Sequence, residues 1–248
     1  MSTVWYTSDP EPFREKEVAY IETRRKEGRL LSDEEVALLP KVGRRHPHAK
    51  EWQLRKKNLT AFLGYWRDRG GPLRILDLGC GNGWMSHQLS TLAHSQVTGM
   101  DVNQTELDQA ARIFGGATNL RFVYGDIFQS LEMTYDCIVL AAAAQYFEDI
   151  AQLVNRLKDL LDPMGEIHIL ETMFYETQDV EAAAERSRHY YQSVGQESMA
   201  RYYFHHSLQQ LASLGADILY EPNPSPNPWQ RLTLRSPFHW VRIQKNPA

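Results

Sequence analysis

A glycine-rich turn constrains this chain more than any other feature. The segment DLGCGNG (77–83) follows a short apolar run, LRILDL, and directly precedes a helical segment that starts at Trp84. Glycine permits backbone angles that a side chain forbids, and it lets a ligand approach the main chain. The turn ends at a helix N-terminus, which supplies free N–H groups and a partial positive charge. The pattern predicts a ligand site between a buried parallel strand and its helix.

From residue 73 the chain alternates between strand-like and helical segments. The predicted strands are 73–78, 96–101, 120–125, 135–142, 165–172, 216–222 and 238–245, the last two joined by the proline-rich loop 222–237. The predicted helices are Trp84–Ala93, Thr105–Ile113, a stripe of Ile150, Leu153, Val154, Leu157 and Leu161, and Ser207–Leu214. For the helix from Thr105 we expect Asn103 as the cap and Glu106 as the carboxylate that returns to it. This alternation predicts a doubly wound α/β fold with a mostly parallel sheet and helices on both faces.

The first 70 residues differ, because they are charged and helical in pattern. We predict helices at Glu15–Lys26, from a Ser32/Glu35 capping box to Leu39, and from about Lys50 to Arg69. We therefore divide the chain into a helical N-terminal cap (1–70) and a main domain (71–248). Within that domain, residues 173–204 break the alternation and are predicted to form a helical cap insertion.

Composition bounds the class of protein. The 248 residues suffice for one large domain or one domain with a cap. The longest apolar run, Ile138–Ala144, falls far short of the roughly 20 residues of a membrane-spanning helix. With two cysteines and no leader-like start, we expect a cytoplasmic protein without a disulfide framework. The nine histidines show no zinc pattern, so we expect no metal. The net charge of −4 disfavours charge-driven binding to nucleic acid or a membrane.

A second acidic residue fits the same ligand site. Asp101 ends the next predicted strand, and an acid there can accept hydrogen bonds from both ribose hydroxyls of an adenosine; a helix cap is the alternative. Dinucleotide-binding dehydrogenases place a small residue where this chain has Trp84. A pyrophosphate would also be repelled by Asp77, whereas a positively charged ligand would not. We therefore disfavour a nucleotide-dependent oxidoreductase.

Residues 73–172 resemble the class I S-adenosylmethionine (SAM)-dependent methyltransferases. The matching motifs are ILDLGCGNGW (75–84), MDVN (100–103), GDIF (125–128), YDCIVLAAAAQYF (135–147) and LLDPMGEIHI (160–169). Met164 replaces the glycine usual after the proline of the last motif. The resemblance implies a Rossmann-like fold that ends in an antiparallel hairpin, and SAM as cofactor with S-adenosylhomocysteine (SAH) as product.

The resemblance also implies which residues bind the cofactor. Asp101 is the ribose acid, Asp126 faces the adenine amino group, and the amide of Ile127 faces a ring nitrogen. On a predicted helix face with Trp52, Arg55 is a candidate for the SAM carboxylate, with a solvent-facing arginine as the alternative. The full predicted set is Asp77, Gly79, Cys80, Gly81, Gly83, Trp84, Asp101, Val102, Asp126, Ile127, Ala141 and Arg55.

The sequence does not identify a catalytic residue, because the transfer of a methyl group from a sulfonium chiefly needs alignment and exclusion of water. No Asn/Asp-Pro-Pro-Tyr-like motif follows the fourth strand, and Asn227-Pro228-Trp229 lies in the last loop. We interpret Cys137 and His168 as core residues. The acceptor-side candidates are Tyr146, Glu171, His205 and His206, each with a packing or surface role as the alternative.

The acceptor itself is predicted only by class. Five tyrosines at or near the insertion (Tyr175, Tyr190, Tyr191, Tyr202 and Tyr203) suit an apolar or aromatic acceptor; a helix pair packed through them, or a homodimer interface, are the alternatives. The basic run 41–57 would suit an anionic acceptor, with a solvated helix face as the alternative. We therefore expect a methyltransferase acting on a small molecule; the alternatives are an RNA or protein methyltransferase and a non-catalytic SAM-binding interaction protein.

Overall fold

The fold is organised around one eight-stranded sheet, which a computed structural model describes over residues 3–129, 133–222 and 236–245. The strands are β1 (Trp5–Tyr6), β2 (Leu73–Leu78), β3 (Ser95–Asp101), β4 (Leu120–Tyr124), β5 (Tyr135–Ala141), β6 (Leu161–Leu170), β7 (Phe174–Tyr175), β8 (His206–Ser207), β9 (Ala216–Tyr220) and β10 (Trp240–Gln244). The α-helices are α1 (Arg14–Lys26), α2 (Asp33–Leu38), α3 (Ala49–Arg67), α4 (Trp84–Leu89), α5 (Gln104–Phe114), α6 (Ile150–Asp159), α7 (Val180–Ser193) and α8 (Leu208–Ser213).

The strand order is β1-β4-β3-β2-β5-β6-β10-β9. Strands β1 to β6 pair in parallel, whereas β10 runs antiparallel to both β6 and β9. The predicted doubly wound, mostly parallel sheet with an antiparallel C-terminal pair is therefore confirmed. The order reverses between β2 and β5, and such a switch point opens a crevice at the carboxyl ends of the strands.

Alternating residues of the central strands enter two separate cores. Ile75 of β2 and Val139 of β5 belong to the core that packs against α3, α4 and α5. Their neighbours Leu76 and Ile138 belong to the core on the opposite face, which includes α6 and α8. Because side chains alternate across a strand, both faces of the central strands must be apolar. This requirement explains the uninterrupted apolar runs in the sequence.

The start of α5 corrects one prediction. The side chain of Asn103 caps the helix by accepting a hydrogen bond from the N–H of Glu106 at 3.0 Å, as predicted. The returning contact is wrong, because the N–H of Asn103 donates instead to Asp101 Oδ1 at 2.9 Å. The carboxylate of Glu106 is thereby left for another role and lies above Gly81.

Two other boundaries differ from the sequence prediction. The α4 helix ends at Leu89 rather than Ala93, since the hydroxyls of Ser90 and Thr91 donate to carbonyls of its last turn. Leu161 does not extend the helical stripe, because α6 ends at Asp159 and Leu161 begins β6.

The N-terminal region is not entirely helical. Trp5 and Tyr6 add a short parallel strand beside β4. Residues 173–204 contain α7, as the helical insertion predicts, and also β7, which pairs with β8 in a second small sheet. The division of the chain at residue 70 stays a prediction.

Three further expectations concern the proline-rich loop, membrane-spanning helices and metal binding. Most of the proline-rich loop, with Asn227-Pro228-Trp229, lies outside the described residues. Among the described residues, no helix is long and apolar enough to cross a bilayer. No group of three or more histidine, cysteine, aspartate or glutamate side chains within those residues could hold a metal ion.

Candidate active site

Two adjoining chambers open at the carboxyl ends of β2, β3, β4 and β5. The outer chamber, about 440 Å³ in volume, lies against Asp101 and Asp126 and is covered by Lys16 and Tyr20 of α1. Apolar and aromatic residues line much of it: Phe13, Leu78, Val102, Ile127, Phe128, Ala143, Tyr146, Phe147 and Phe204. Polar and acidic residues line the rest: Glu17, Asn103, Glu106, Glu148, Asp149 and Gln152. A ligand in this chamber would contact three strand ends and the N-terminal helix together.

The inner chamber is smaller and more polar. It has a volume of about 100 Å³ and is lined by Asp77 and Trp84 of the glycine-rich segment and its helix, and by three arginines, Arg24, Arg29 and Arg55. Cys80 and Ala141 also line it. The residues that line both chambers are Tyr20, Gly79, Gly81, Glu106 and Ala142. We call this shared wall the junction.

The glycines of the turn make room for both a ligand and the fold. Gly79 and Gly81 have φ angles of +75° and +51°, in the left-handed region that favours glycine. Gly83 lines neither chamber; a Cβ there would lie 2.6 Å from the Phe122 ring and 2.8 Å from Ala110 Cβ. Gly83 therefore permits close packing of the helix on the sheet. In the dinucleotide-binding dehydrogenases, the small residue with this role would stand at the position of Trp84.

Asp101 is the most firmly oriented acid in the outer chamber. Its carboxylate accepts hydrogen bonds from the N–H groups of Gly81, Val102 and Asn103 at 2.8, 2.7 and 2.9 Å. Burial raises the pKa of Asp101, although these three donors oppose the rise. The carboxylate is thus fixed in direction before any ligand arrives.

Asp126 is a second acid that lines the outer chamber. Its Oδ1 accepts a hydrogen bond from the N–H of Phe128 at 3.0 Å, and its own N–H donates to Ser8 Oγ at 2.7 Å. The adjacent Ile127 is almost fully buried. The two residues predicted to recognise adenine therefore line the outer chamber side by side.

Asp77 lies at the base of the inner chamber. It is 1% exposed, and its Oδ2 accepts a hydrogen bond from Ser86 Oγ at 2.6 Å. Burial is the main reason that its pKa rises to about 7, and the hydrogen bond from Ser86 opposes the rise. A cationic group that entered the chamber would favour the ionised form.

Arg55 lines the inner chamber, as the prediction for the SAM carboxylate requires, but it already has two acidic partners. Its Nε lies 3.5 Å from Glu51 Oε1 and 3.4 Å from Glu171 Oε2. Its guanidinium also lies over the Trp52 ring, 5.0 Å from the centroid. Glu171 lines neither chamber and accepts a further hydrogen bond from Asn58 at 3.2 Å. Its position favours orienting Arg55 over contacting an acceptor.

Tyr146 contacts α1 at the edge of the outer chamber. Its ring packs edge-on against Tyr20, with centroids 5.7 Å apart. The ammonium of Lys16 donates to its backbone carbonyl at 3.0 Å, and Arg24 Nη2 lies 3.5 Å from its hydroxyl. Burial raises the pKa of this hydroxyl, so a base role at neutral pH is disfavoured.

The two candidate histidines lie away from the chambers. His205 Nε2 lies 2.9 Å from Ser187 Oγ, and its ring lines a separate cleft of about 550 Å³ behind Phe204. His206 is buried, with Nε2 at 3.0 Å from the carbonyl oxygen of Phe147. Both contacts fit structural roles.

The tyrosines of the insertion pack against α1. Tyr191 and Tyr203 lie in a cluster that also includes Ala19, Tyr20 and Tyr146. The basic run is mostly solvated: Lys41, Arg44, Arg45, Lys50, Lys56 and Lys57 are exposed, and only Arg55 of its seven cations lines a chamber.

The sequence did not predict two parts of the site. One is the face of α1 that carries Phe13, Lys16, Glu17, Tyr20 and Arg24. The helical spacing of these residues was a usable signal, but their mixed polarity resembles a solvated helix. The other is Glu106, whose place in a capping-box pattern concealed a position in the chamber wall.

The sequence also matches known proteins. A family model described as a methyltransferase domain matches residues 75–165. A malonyl-[acyl-carrier protein] O-methyltransferase of Halalkalibacterium halodurans is 30% identical over 100 residues, which cover 38% of this chain and 37% of that protein. The enzyme of that name from Bacillus cereus is 30% identical over 141 residues, covering 54% and 52%. The chain therefore spans about half or less of these relatives.

Solved structures show the same fold. The plantazolicin methyltransferase BpumL has a TM-score of 0.54 at 19% identity, covering 96% of this chain and all of that one. A structure described as a putative methyltransferase from Bacillus halodurans also has a TM-score of 0.54, at 14% identity, covering 77% of this chain and all of that one.

Proposed function

Because a methyltransferase-domain model matches residues 75–165, we propose that this chain transfers a methyl group from SAM to a small-molecule acceptor. When bound, SAM supplies a methyl group that its sulfonium makes electrophilic. Transfer to the acceptor would exchange the bond between the sulfur and the methyl carbon for one to the acceptor, with SAH as the leaving product. The observation that supports this proposal best is the pair of adjoining chambers around the glycine-rich turn.

The chambers fit the two halves of SAM. A Cβ on Gly79 would lie 2.5 Å from Ala143 Cβ and would fill the passage beside the turn. Asp101 presents a fixed carboxylate to ribose hydroxyls, and Asp126 with Ile127 forms the wall for adenine. The amino-acid tail would lie in the inner chamber. The carboxylate of Asp77 is opposite in charge to the ammonium group of the tail, and the guanidinium of Arg55 is opposite in charge to its carboxylate.

The chain's own residues would then orient the ligands and exclude water. Lys16 and Tyr20 cover the outer chamber from above, while Tyr146 and Phe147 line it from the β5 side. Methyl transfer needs an aligned, dry site more than it needs a base. We therefore assign Tyr146 a packing and alignment role, and we assign no general base.

The walls of the outer chamber support an apolar or aromatic acceptor. Phe13, Tyr146, Phe147 and Phe204 present rings to the same space, and rings of this kind bury large areas of a flat ligand. Lys16 is the only cation among the described residues that line this chamber, whereas six acids line it as well: Glu17, Asp101, Glu106, Asp126, Glu148 and Asp149. The lining therefore favours an acceptor without a negative charge.

A macromolecular acceptor has less support. The exposed cations of the run 41–57 could contact RNA or an acidic protein, but only Arg55 among them reaches the chambers. A non-catalytic SAM-binding role would leave the aromatic walls of the outer chamber without a purpose.

The acceptor class can be tested with methyl-labelled SAM. The protein is incubated with a cell extract that ultrafiltration has separated into small-molecule and macromolecular fractions. We expect label only in products of the small-molecule fraction, and loss of that label in Asp101→Ala. Label in RNA or protein would contradict the proposed acceptor, and no transfer to either fraction would favour the non-catalytic alternative.

A further inference from the structure

Glu106 occupies an unusual place at the junction of the two chambers. Among the described residues that line both chambers, it carries the only charged side chain; the others are Tyr20, Gly79, Gly81 and Ala142. The Glu106 carboxylate lies directly over the glycine-rich turn, with Oε2 2.9 Å from the point where a Cβ on Gly81 would stand. It therefore borders the space where the two chambers adjoin.

The surroundings of Glu106 leave its carboxylate without a partner. No hydrogen bond to this carboxylate and no ion pair with it is present among the described residues. The nearest cations bind elsewhere: Arg24 lies 3.2 Å from Glu27, and Arg55 pairs with Glu51 and Glu171. Burial and the nearby Asp101 raise the pKa of Glu106 to about 7, although the charges of Arg24 and Arg55 oppose the rise. A carboxylate in this environment would gain from a cation at the junction.

The covalent structure of SAM identifies that cation. Its sulfur joins the nucleoside to the amino-acid tail, so a molecule with its nucleoside in the outer chamber and its tail in the inner chamber must place the sulfur at the junction. Asp77 lines only the inner chamber, and is therefore placed for the tail ammonium instead. Methyl transfer turns the sulfonium into a neutral thioether, which removes the charge from the junction.

We propose that Glu106 is a specificity-determining residue that recognises the positive charge of the sulfonium and so makes the site bind SAM more tightly than SAH. This inference rests on the proposed function. It gives the site a means of releasing product: the attraction that holds the substrate is lost when the methyl group leaves.

Calorimetry with three ligands tests the inference. SAM carries the sulfonium, SAH is neutral at that atom, and sinefungin carries a protonated amine on the carbon that replaces the sulfur. We expect the wild-type protein to bind SAM and sinefungin more tightly than SAH. Glu106→Gln should weaken SAM and sinefungin by about tenfold, as the loss of one close charge pair predicts, and leave SAH almost unchanged.

Two further variants make the result decisive. Glu106→Met removes the charge without adding a hydrogen-bonding group, and it should reproduce the loss of discrimination. Asp108→Asn makes the same change of charge at an exposed position of α5, and it should preserve the wild-type ratio. Equal weakening of all three ligands in Glu106→Gln, or no weakening, would overturn the inference. Failure of the wild-type protein to bind any of them would instead refute the proposed function.

Discussion

The ammonium of Lys16 in α1 donates a hydrogen bond to the backbone carbonyl oxygen of Tyr146, 3.0 Å away, in the wall of the outer chamber. The next residue, Glu17, accepts from the N–H and the hydroxyl of Thr105 at 2.9 and 2.7 Å. The helix α1 is thus fixed both to the segment after β5 and to the start of α5. Since Ala19 and Thr23 are its only buried residues, these polar contacts contribute a large share of what holds it over the chamber.

Replacement of Lys16 should therefore shorten the lifetime of the bound cofactor. Lys16→Met retains the apolar length that packs near Phe147 but loses the charged hydrogen bond. We expect SAH to dissociate about five- to tenfold faster, as the loss of one partly buried charge-assisted bond predicts. Stopped-flow displacement measures this rate. Arg25→Met, at an exposed position of the same helix whose ion pair with Glu22 lies within that helix, is the control. Equal rates in wild type and Lys16→Met would show that α1 does not retain the ligand.

Arg55 should contribute only to ligands that carry the amino-acid tail. Arg55→Met is expected to weaken SAH by about 1.5–3 kcal/mol, since it removes a charged donor from the inner chamber. The affinity for methylthioadenosine, which lacks the tail, should not change. Calorimetry with both ligands distinguishes this role from a structural one, because a displaced α3 would weaken both. Glu171→Gln should show a smaller effect of the same kind, since this residue acts through Arg55.

Binding of SAH should depend on pH through Asp77. The pKa of Asp77 near 7 means that the free protein holds a proton there at lower pH, and the ammonium of the tail favours the ionised form. Affinity should therefore be highest above pH 7 and fall as the pH drops, by up to about tenfold per unit for one proton. SAH separates this effect from that of Glu106, because its sulfur is neutral. A profile in Asp77→Asn as steep as in wild type would assign the dependence to another group.

A buried network distant from the chambers should control stability in acid. Glu166 accepts hydrogen bonds from Tyr65 and lies within 3.1 Å of His168 and 2.7 Å of Arg69. Burial alone would raise its pKa, but hydrogen bonds from His168, Arg69 and Tyr65 lower it to about 2. The ionised form therefore stabilises the fold above about pH 4.5, and this contribution is lost as the pH falls from there towards 2.

Glu166→Gln is the variant that tests this network. It should lower the free energy of unfolding at pH 7 by about 3 kcal/mol, because Arg69 and Arg242 lose their counter-charge and the buried His168 loses its charged acceptor. Denaturant titration at pH 7 and pH 3 measures both quantities. The difference between variant and wild type should shrink at the lower pH; a constant difference would mean that the carboxylate contributes by packing alone.

The sequence predicted those parts of the site that directly follow a strand within one stretch of the chain. The turn around Gly79 and the acids Asp101 and Asp126 each follow a strand, and the parallel order brings those strand ends together. Glu171 also follows a strand, yet its side chain binds Arg55 behind the chamber, and no local pattern records that direction. Glu106 was missed because a capping-box glutamate and a chamber-wall glutamate occupy the same position of a helix.

The N-terminal region was predicted as a helical cap, but the residues of α1 that cover the chamber were not predicted. Its contacts, such as Lys16 to Tyr146, join residues more than 100 positions apart, and the pairing depends on how α1 crosses the sheet. The strand β1 was missed because two residues are too few to show a period. The tyrosines of the insertion were predicted to lie near the acceptor site or to pack against a helix. The sequence did not show that this helix is α1.

The central claim is that the adjoining chambers bind SAM with Asp101 at its ribose. Titration calorimetry with SAH tests it most directly. We predict one site per chain in the wild-type protein and a loss of about 1–3 kcal/mol of binding free energy in Asp101→Ala, because the ribose hydroxyls lose their acceptor. Asp159→Ala, at an exposed position of α6, should bind like wild type. Absence of binding heat and of any thermal shift in the wild-type protein, or wild-type affinity in Asp101→Ala, would contradict the account.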